Sequence, residues 1–226
     1  MGENNQRPRL RVSESNESLI SNCRAGAGSA KPILCIIAGP NGSGKTSTTE
    51  LLLQNEWTAD SLYINPDNIA QQQFGDWNSP EAVLQAAKES TRLRYECVEQ
   101  CRNFVFETVF SSDEKLDFVS KAKAAGFFVR FFFVCTASPD INIMRIFARY
   151  LEGGHEVPMS KVYSRYYKSL ANAAQIVKEV DRAYVYDNSI DDDTPRLLFR
   201  TVDGKVFKQY TDDIPEWAQM LMPEDS

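Results

Sequence analysis

No stretch of this sequence is long and apolar enough to cross a bilayer as a helix. The longest strongly apolar run, Phe127 to Cys135, is interrupted by Arg130 and spans less than half of the roughly 20 residues a span requires. Histidine is almost missing, with His155 alone in 226 residues, which removes most of the ligand sets that zinc uses. The cysteines are 5 in number and irregularly spaced, at 23, 35, 97, 101 and 135. An odd set, two of whose members lie in apolar runs, reads as reduced thiols in a cytoplasm. Cys97 and Cys101 stand one helical turn apart, but with a single histidine and no second close pair they read as helical thiols rather than as a metal site. Positive charge is in deficit: 25 Lys and Arg face 31 Asp and Glu, for a net charge of -6. That mean field repels DNA, RNA and anionic membranes, so neither nucleic acid nor a membrane is expected as a partner. The opening residues are polar and include Glu3, Glu14 and Glu17, unlike a secretory signal or a transit peptide. The expected location is the cytoplasm.

A chain of this length suits one α/β domain with a core large enough to fold alone. Residues 1–30 carry too few apolar side chains to offset the entropy of ordering and read as a polar tail. Residues 31–226 read as a single domain. Its first strand, residues 33–38, is a continuous apolar run between Pro32 and Gly39, as a fully buried parallel strand should be. Further strands are expected at 62–64, 104–106, 127–135 and 183–186. Helices are expected from Lys45 to Gln54, from Ser79-Pro80-Glu81 to about residue 102, from the capping box Ser111 and Glu114 to Gly126, from Ser138-Pro139 to Gly153, and from Pro158 to about residue 180. Such alternation implies βαβ crossovers and a mostly parallel sheet covered on both faces. Asp203-Gly204, between two strand-like segments, marks an antiparallel hairpin, and a short helix follows near residues 215–221. The fold class is therefore a P-loop NTPase three-layer α/β sandwich with a C-terminal antiparallel hairpin. A lid region is expected at about 145–168, and the hairpin and last helix at about 195–222.

The phosphate loop carries that assignment. Gly39-Pro40-Asn41-Gly42-Ser43-Gly44-Lys45-Thr46 has the full Walker A spacing and stands between a buried strand and a helix. Its glycines let backbone amides turn inward around phosphates, and the start of the helix adds its positive dipole end. Lys45 reaches the β and γ phosphates, and the Thr46 hydroxyl is a ligand for Mg²⁺. ATP and Mg²⁺ are the expected cofactors. The loop names a ligand class and leaves the reaction open.

Other residues narrow the reaction. The chain lacks an Asn-Lys-x-Asp guanine-reading motif and a Leu-Ser-Gly-Gly transporter signature, which leaves small-molecule kinases well placed. Asp67 follows a short strand at the carboxyl edge of the sheet and is the candidate base, with turn or helix-cap chemistry as its structural alternative. Glu107 and Thr108 end another strand at that edge and are candidates for the substrate side, where Glu107 holds either substrate hydroxyls or magnesium-bound water, with a strand-end carboxylate in solvent as its structural alternative. Arg145, Arg149 and Arg165 flank Gly153-Gly154 and are candidate lid cations, with Arg149 and Arg165 taken as catalytic. His155 is either a substrate ligand or simply exposed. Two other readings stay open: a nucleotide-dependent binding module with a protein partner, and an ATPase without a small-molecule acceptor.

In order along the chain, Ala38 to Thr46, Asn65-Pro66-Asp67, Glu107-Thr108, Gly153-Gly154-His155-Glu156-Val157-Pro158, Arg165-Tyr166 and Tyr186-Asp187-Asn188-Ser189 resemble the zeta-toxin family, and most closely its zeta-like predicted-ATPase branch. Zeta toxins are kinases of toxin–antitoxin systems that phosphorylate UDP-N-acetylglucosamine. The resemblance implies a kinase of a nucleotide-sugar hydroxyl and an antitoxin partner. It also implies that Lys45 and Thr46 serve the loop, Asp67 is the base, Glu107 is the substrate-side acid and Arg149 is a lid arginine. The chain departs from the best-studied toxins near His155, where Arg165 stands as the substitute for a second lid arginine, and after Asp67, where Asn68-Ile69-Ala70 replaces an aromatic and a basic residue.

Overall fold

The computed structural model describes residues 23, 30–55, 58, 60–75, 79–153, 157–191 and 193–223. Among them, seven strands form one sheet in the order β2-β3-β1-β4-β5-β6-β7. The strands are β1 (Ile33–Ala38), β2 (Leu62–Ile64), β3 (Phe104–Thr108), β4 (Phe128–Cys135), β5 (Arg182–Asp187), β6 (Arg196–Val202) and β7 (Lys205–Gln209). All pairings from β2 through β5 are parallel. Those of β5 with β6 and β6 with β7 are antiparallel. The β6–β7 turn places Asp203 and Gly204 at φ of 48° and 74°, the pair of left-handed residues that a tight hairpin turn demands.

The helices are α1 (Lys45–Leu53), α2 (Pro66–Phe74), α3 (Pro80–Glu99), α4 (Asp113–Ala124), α5 (Pro139–Leu151), α6 (Met159–Ile176) and the short α7 (Glu216–Gln219). They cover the two faces unequally. Leu34, Ile36 and Ala38 of β1 join Phe104, Phe106, Phe131 and Phe133 in a large core closed by side chains of α2, α3, α4, α6 and α7. The alternate residues Cys35 and Ile37 meet Val105 and Phe132 on the other face, where Leu52 and Leu53 of α1 pack. The period-2 geometry of a strand explains why an unbroken apolar run was needed: both sides of β1 are buried.

Phe118 of α4 packs edge-on against Phe104 and Phe106, an arrangement favoured by the ring quadrupole. Arg94 of α3 is buried with its guanidinium 4.7 Å from the Phe118 ring centroid and paired with Glu114 at 3.1 Å. Glu114 is thus engaged with α3 and does not close the expected capping box. Ser112, not Ser111, caps α4, and its side chain makes no cap hydrogen bond. Helix α2 was not anticipated beyond its Asn65-Pro66-Asp67 start. Only Ile69 and Ala70 are buried in it, too few to show a helical period.

The thiols differ from expectation in one respect. Cys35, Cys97 and Cys135 are free and buried, but Cys23 and Cys101 form a disulfide across 78 residues. Spacing cannot reveal such a pair, because it depends on where the segment carrying Cys23 returns to the end of α3. Apart from Cys23 and Ala30, the expected polar tail, residues 1–30, lies outside the described residues.

Candidate functional site

Because β1 lies between β3 and β4, the loop after it opens at the point where the strand order reverses, the usual ligand crevice of an open α/β sheet. The loop needs its glycines. A Cβ on Gly39 would lie 2.0 Å from the Val134 carbonyl oxygen, and one on Gly44, at φ 84°, would lie 2.1 Å from Asn188 Nδ2. The space that side chains would fill is taken by neighbouring chain, leaving backbone amides to line the loop. Ser43 is fully buried in it and Thr46 is exposed at the first turn of α1. Lys45 Nζ donates to the Pro40 carbonyl at 2.9 Å, folding the side chain back over the loop. These features fit a triphosphate cradle, with Thr46 open to a metal ion beside it.

Lys45 is the electrostatic centre of the site. Burial pushes its pKa down, while the Glu107 and Asp67 carboxylates raise it and Arg149 lowers it further. Three residues singled out from distant parts of the sequence therefore act on one ammonium group. Glu107 is buried and pairs in register with Ile37 on the adjacent strand β1. Its Oε2 accepts from the Tyr63 hydroxyl at 3.0 Å, and the Thr49 hydroxyl, with one proton to give, lies 3.0 Å from both this oxygen and the Lys45 carbonyl. Asp67 is exposed in the first turn of α2. Its backbone N–H donates to Asn65 Oδ1 at 2.9 Å, so Asn65 is the helix cap and the Asp67 carboxylate is not consumed by capping.

The cations separate. Arg165 Nη1 donates to Asn41 Oδ1 at 3.3 Å, which brings α6 to the phosphate loop. Arg145 instead holds Asp191 at 2.6 Å and the Asn188 carbonyl at 2.8 Å. Thr108 serves the backbone: its carbonyl accepts from Gly39 N at 3.3 Å and its hydroxyl from Phe110 N at 3.1 Å. His155 lies outside the described residues. Thr49 and Tyr63 were not singled out by the sequence, and two residues of the resembling motifs had no role assigned: Asn65, which is the cap, and Asn188, whose Nδ2 donates to the Ser43 carbonyl at 2.9 Å. The position of Thr49, one turn after Lys45, was the available signal for the first of them.

A family model for zeta toxin matches residues 20–194. An uncharacterized protein of Haemophilus influenzae is 31% identical over 128 residues, which cover 57% of this chain and 88% of that protein. Among solved structures, the PezAT chromosomal toxin-antitoxin system of Streptococcus pneumoniae aligns with a TM-score of 0.57 at 17% identity, over 93% of this chain and 87% of the other. AvrRxo1-ORF1:-ORF2 with ATP aligns at 0.59 and 16% identity, over 94% and 69%. At such identities the structural likeness establishes the fold.

Proposed function

The chain belongs to the zeta toxin family, and from that premise we propose that it is an ATP-dependent kinase of a small-molecule hydroxyl, with UDP-N-acetylglucosamine as its acceptor. The observation that carries this reading is a phosphate loop with Lys45 folded over it, Glu107 bonded to Thr49 of the helix that follows and Arg165 reaching the loop through Asn41; Glu107, Asp67 and Arg149 all bear electrostatically on Lys45. A phosphate-binding loop alone suits many reactions. A loop whose lysine feels an exposed carboxylate, a buried carboxylate and a lid arginine suits phosphoryl transfer.

In this mechanism the loop amides and Lys45 hold the β and γ phosphates. Thr46 would hold Mg²⁺, which would supply neutralising charge to the phosphates. Asp67 accepts the proton of the acceptor hydroxyl as that oxygen bonds to the γ phosphorus and the bond to the bridging oxygen of ADP breaks. Glu107 addresses the acceptor's side of the site. Arg149 and Arg165 bring positive charge to the transferring group, Arg165 from its contact with Asn41. Residues 31–226 act as one domain in this scheme, and an antitoxin protein is the partner, as the PezAT toxin-antitoxin relative suggests.

The test is direct. Protein, ATP, Mg²⁺ and UDP-N-acetylglucosamine are mixed, and mass spectrometry is used to find a product about 80 mass units heavier, one phosphoryl group. Asp67→Asn should lower turnover by about 10²- to 10⁴-fold with little change in ATP affinity. Near-normal turnover in that variant removes Asp67 as the base. ATP binding without any phosphorylated product, from this probe or from a metabolite extract, favours the binding-module reading instead.

A further inference from the structure

Tyr63 is the last but one residue of β2 and has no part in the steps above. Its bonds to Asn65 and Glu107 define the direction of its own proton. Asn65 Oδ1 accepts from the Asp67 N–H at 2.9 Å, so the other end of that amide, Nδ2, is the donor facing Tyr63 at 3.0 Å. An amide nitrogen only donates. The Tyr63 oxygen therefore accepts there, and its single proton is left for Glu107 Oε2 at 3.0 Å. Burial and the Glu107 carboxylate both push the Tyr63 phenol upward, so it keeps that proton. The result is a one-way chain from the cap of the Asp67 helix to the carboxylate beside Lys45. Glu107 Oε2 is met from two elements, by the Tyr63 hydroxyl of β2 and by the Thr49 hydroxyl of α1, whose one proton is shared with the Lys45 carbonyl.

We propose that Tyr63 is a positioning residue that ties the Asp67-bearing start of α2 to Glu107, so that base and substrate-side carboxylate keep one fixed relation. The role assigned to that relation rests on the kinase reading above; the hydrogen-bonded chain does not. The competing role is packing, since the Tyr63 ring also belongs to the smaller apolar cluster with Cys35, Ile37 and Val105. Tyr63→Phe separates the two, because it keeps the ring and removes the hydroxyl. Asn65→Ser cuts the chain at its other link while retaining a side chain that caps α2.

With UDP-N-acetylglucosamine as the probe acceptor, each single variant should lose about fivefold to tenfold in kcat with the KM for ATP unchanged, the scale of one lost hydrogen bond. The double variant should be no slower than the worse single, because both cut the same chain. Losses that multiply, or a Tyr63→Phe enzyme equal to wild type, overturn the proposal. A second readout needs no acceptor. Hydrogen exchange at the Asp67 amide should quicken by about fivefold to tenfold in Tyr63→Phe while β1 amides stay unchanged; an unaltered Asp67 amide also overturns it. If the wild type leaves UDP-N-acetylglucosamine unphosphorylated, the acceptor assignment fails and the exchange experiment still decides Tyr63.

Discussion

Burial lowers the Lys45 pKa from 10.5, and the Glu107 and Asp67 carboxylates recover part of that loss while Arg149 adds to it. The protein without nucleotide therefore holds its phosphate-binding charge less firmly than a free lysine would. Phosphates placed against the ammonium group would raise the pKa again, since an opposite charge favours the charged form. The sign of the pH effect follows from linkage. Protonated Lys45 binds nucleotide better, so affinity is full below the pKa of the free protein, falls as pH rises through it, and levels off above the pKa of the complex. Titrating a fluorescent ATP analogue from about pH 7 upward should show weakening that begins below the ordinary lysine range, by up to about tenfold per pH unit. An affinity flat to about pH 10 would show that Lys45 titrates as a free lysine does.

The turn after β5 is an element whose importance lies in what it touches. Asn188 donates its backbone N–H to the Cys135 carbonyl at 2.8 Å and its side chain to the Ser43 carbonyl at 2.9 Å, and Arg145 of α5 donates to its own carbonyl. One residue thus joins β4, the phosphate loop and α5. Asn188→Ala should remove one support of the loop and weaken nucleotide binding about fivefold, about 1 kcal/mol, with kcat less affected. Isothermal titration with ATP checks this; an unchanged affinity would mean that the loop holds its shape without Asn188. The loop itself was legible from the sequence because its spacing, its flanking strand and its helix all repeat one physical requirement. So were β2 and β6–β7, where Asn65-Pro66 and Asp203-Gly204 punctuate the chain. The partnership of Glu107 with Thr49 and Tyr63 was not legible. It depends on β3 lying beside β1 and β2, and strand order is a property of three dimensions that alternation of elements does not reveal. Arg145 and Arg149, equivalent on one helix face by spacing, part company for the same reason: only the fold shows that Asp191 comes back to meet Arg145.

At the scale of the molecule, the Cys23–Cys101 bridge encloses β1, the phosphate loop, α1, β2, α2 and α3 in one covalent ring. In the chain-entropy view, closing a loop of this size stabilises the fold by about 4.5 kcal/mol, by restricting the unfolded chain. Cys101 carries an opposing cost. It follows α3 at φ 52°, with Arg102 N bonded to the Cys97 carbonyl at 2.9 Å, the helix-ending geometry in which glycine is the usual residue. A side chain held in the left-handed region costs about 1 to 2 kcal/mol. The two effects have opposite signs in Cys101→Gly, which relieves the strain and cuts the bridge. That variant should melt below the oxidised wild type and, once a dithiol has reduced both proteins, above the wild type. Thermal denaturation with and without reductant measures both comparisons. Equal melting of oxidised and reduced wild type would show that the bridge contributes nothing to the fold. A reduced wild type more stable than Cys101→Gly would show that Cys101 is held there by packing rather than by its bond to Cys23.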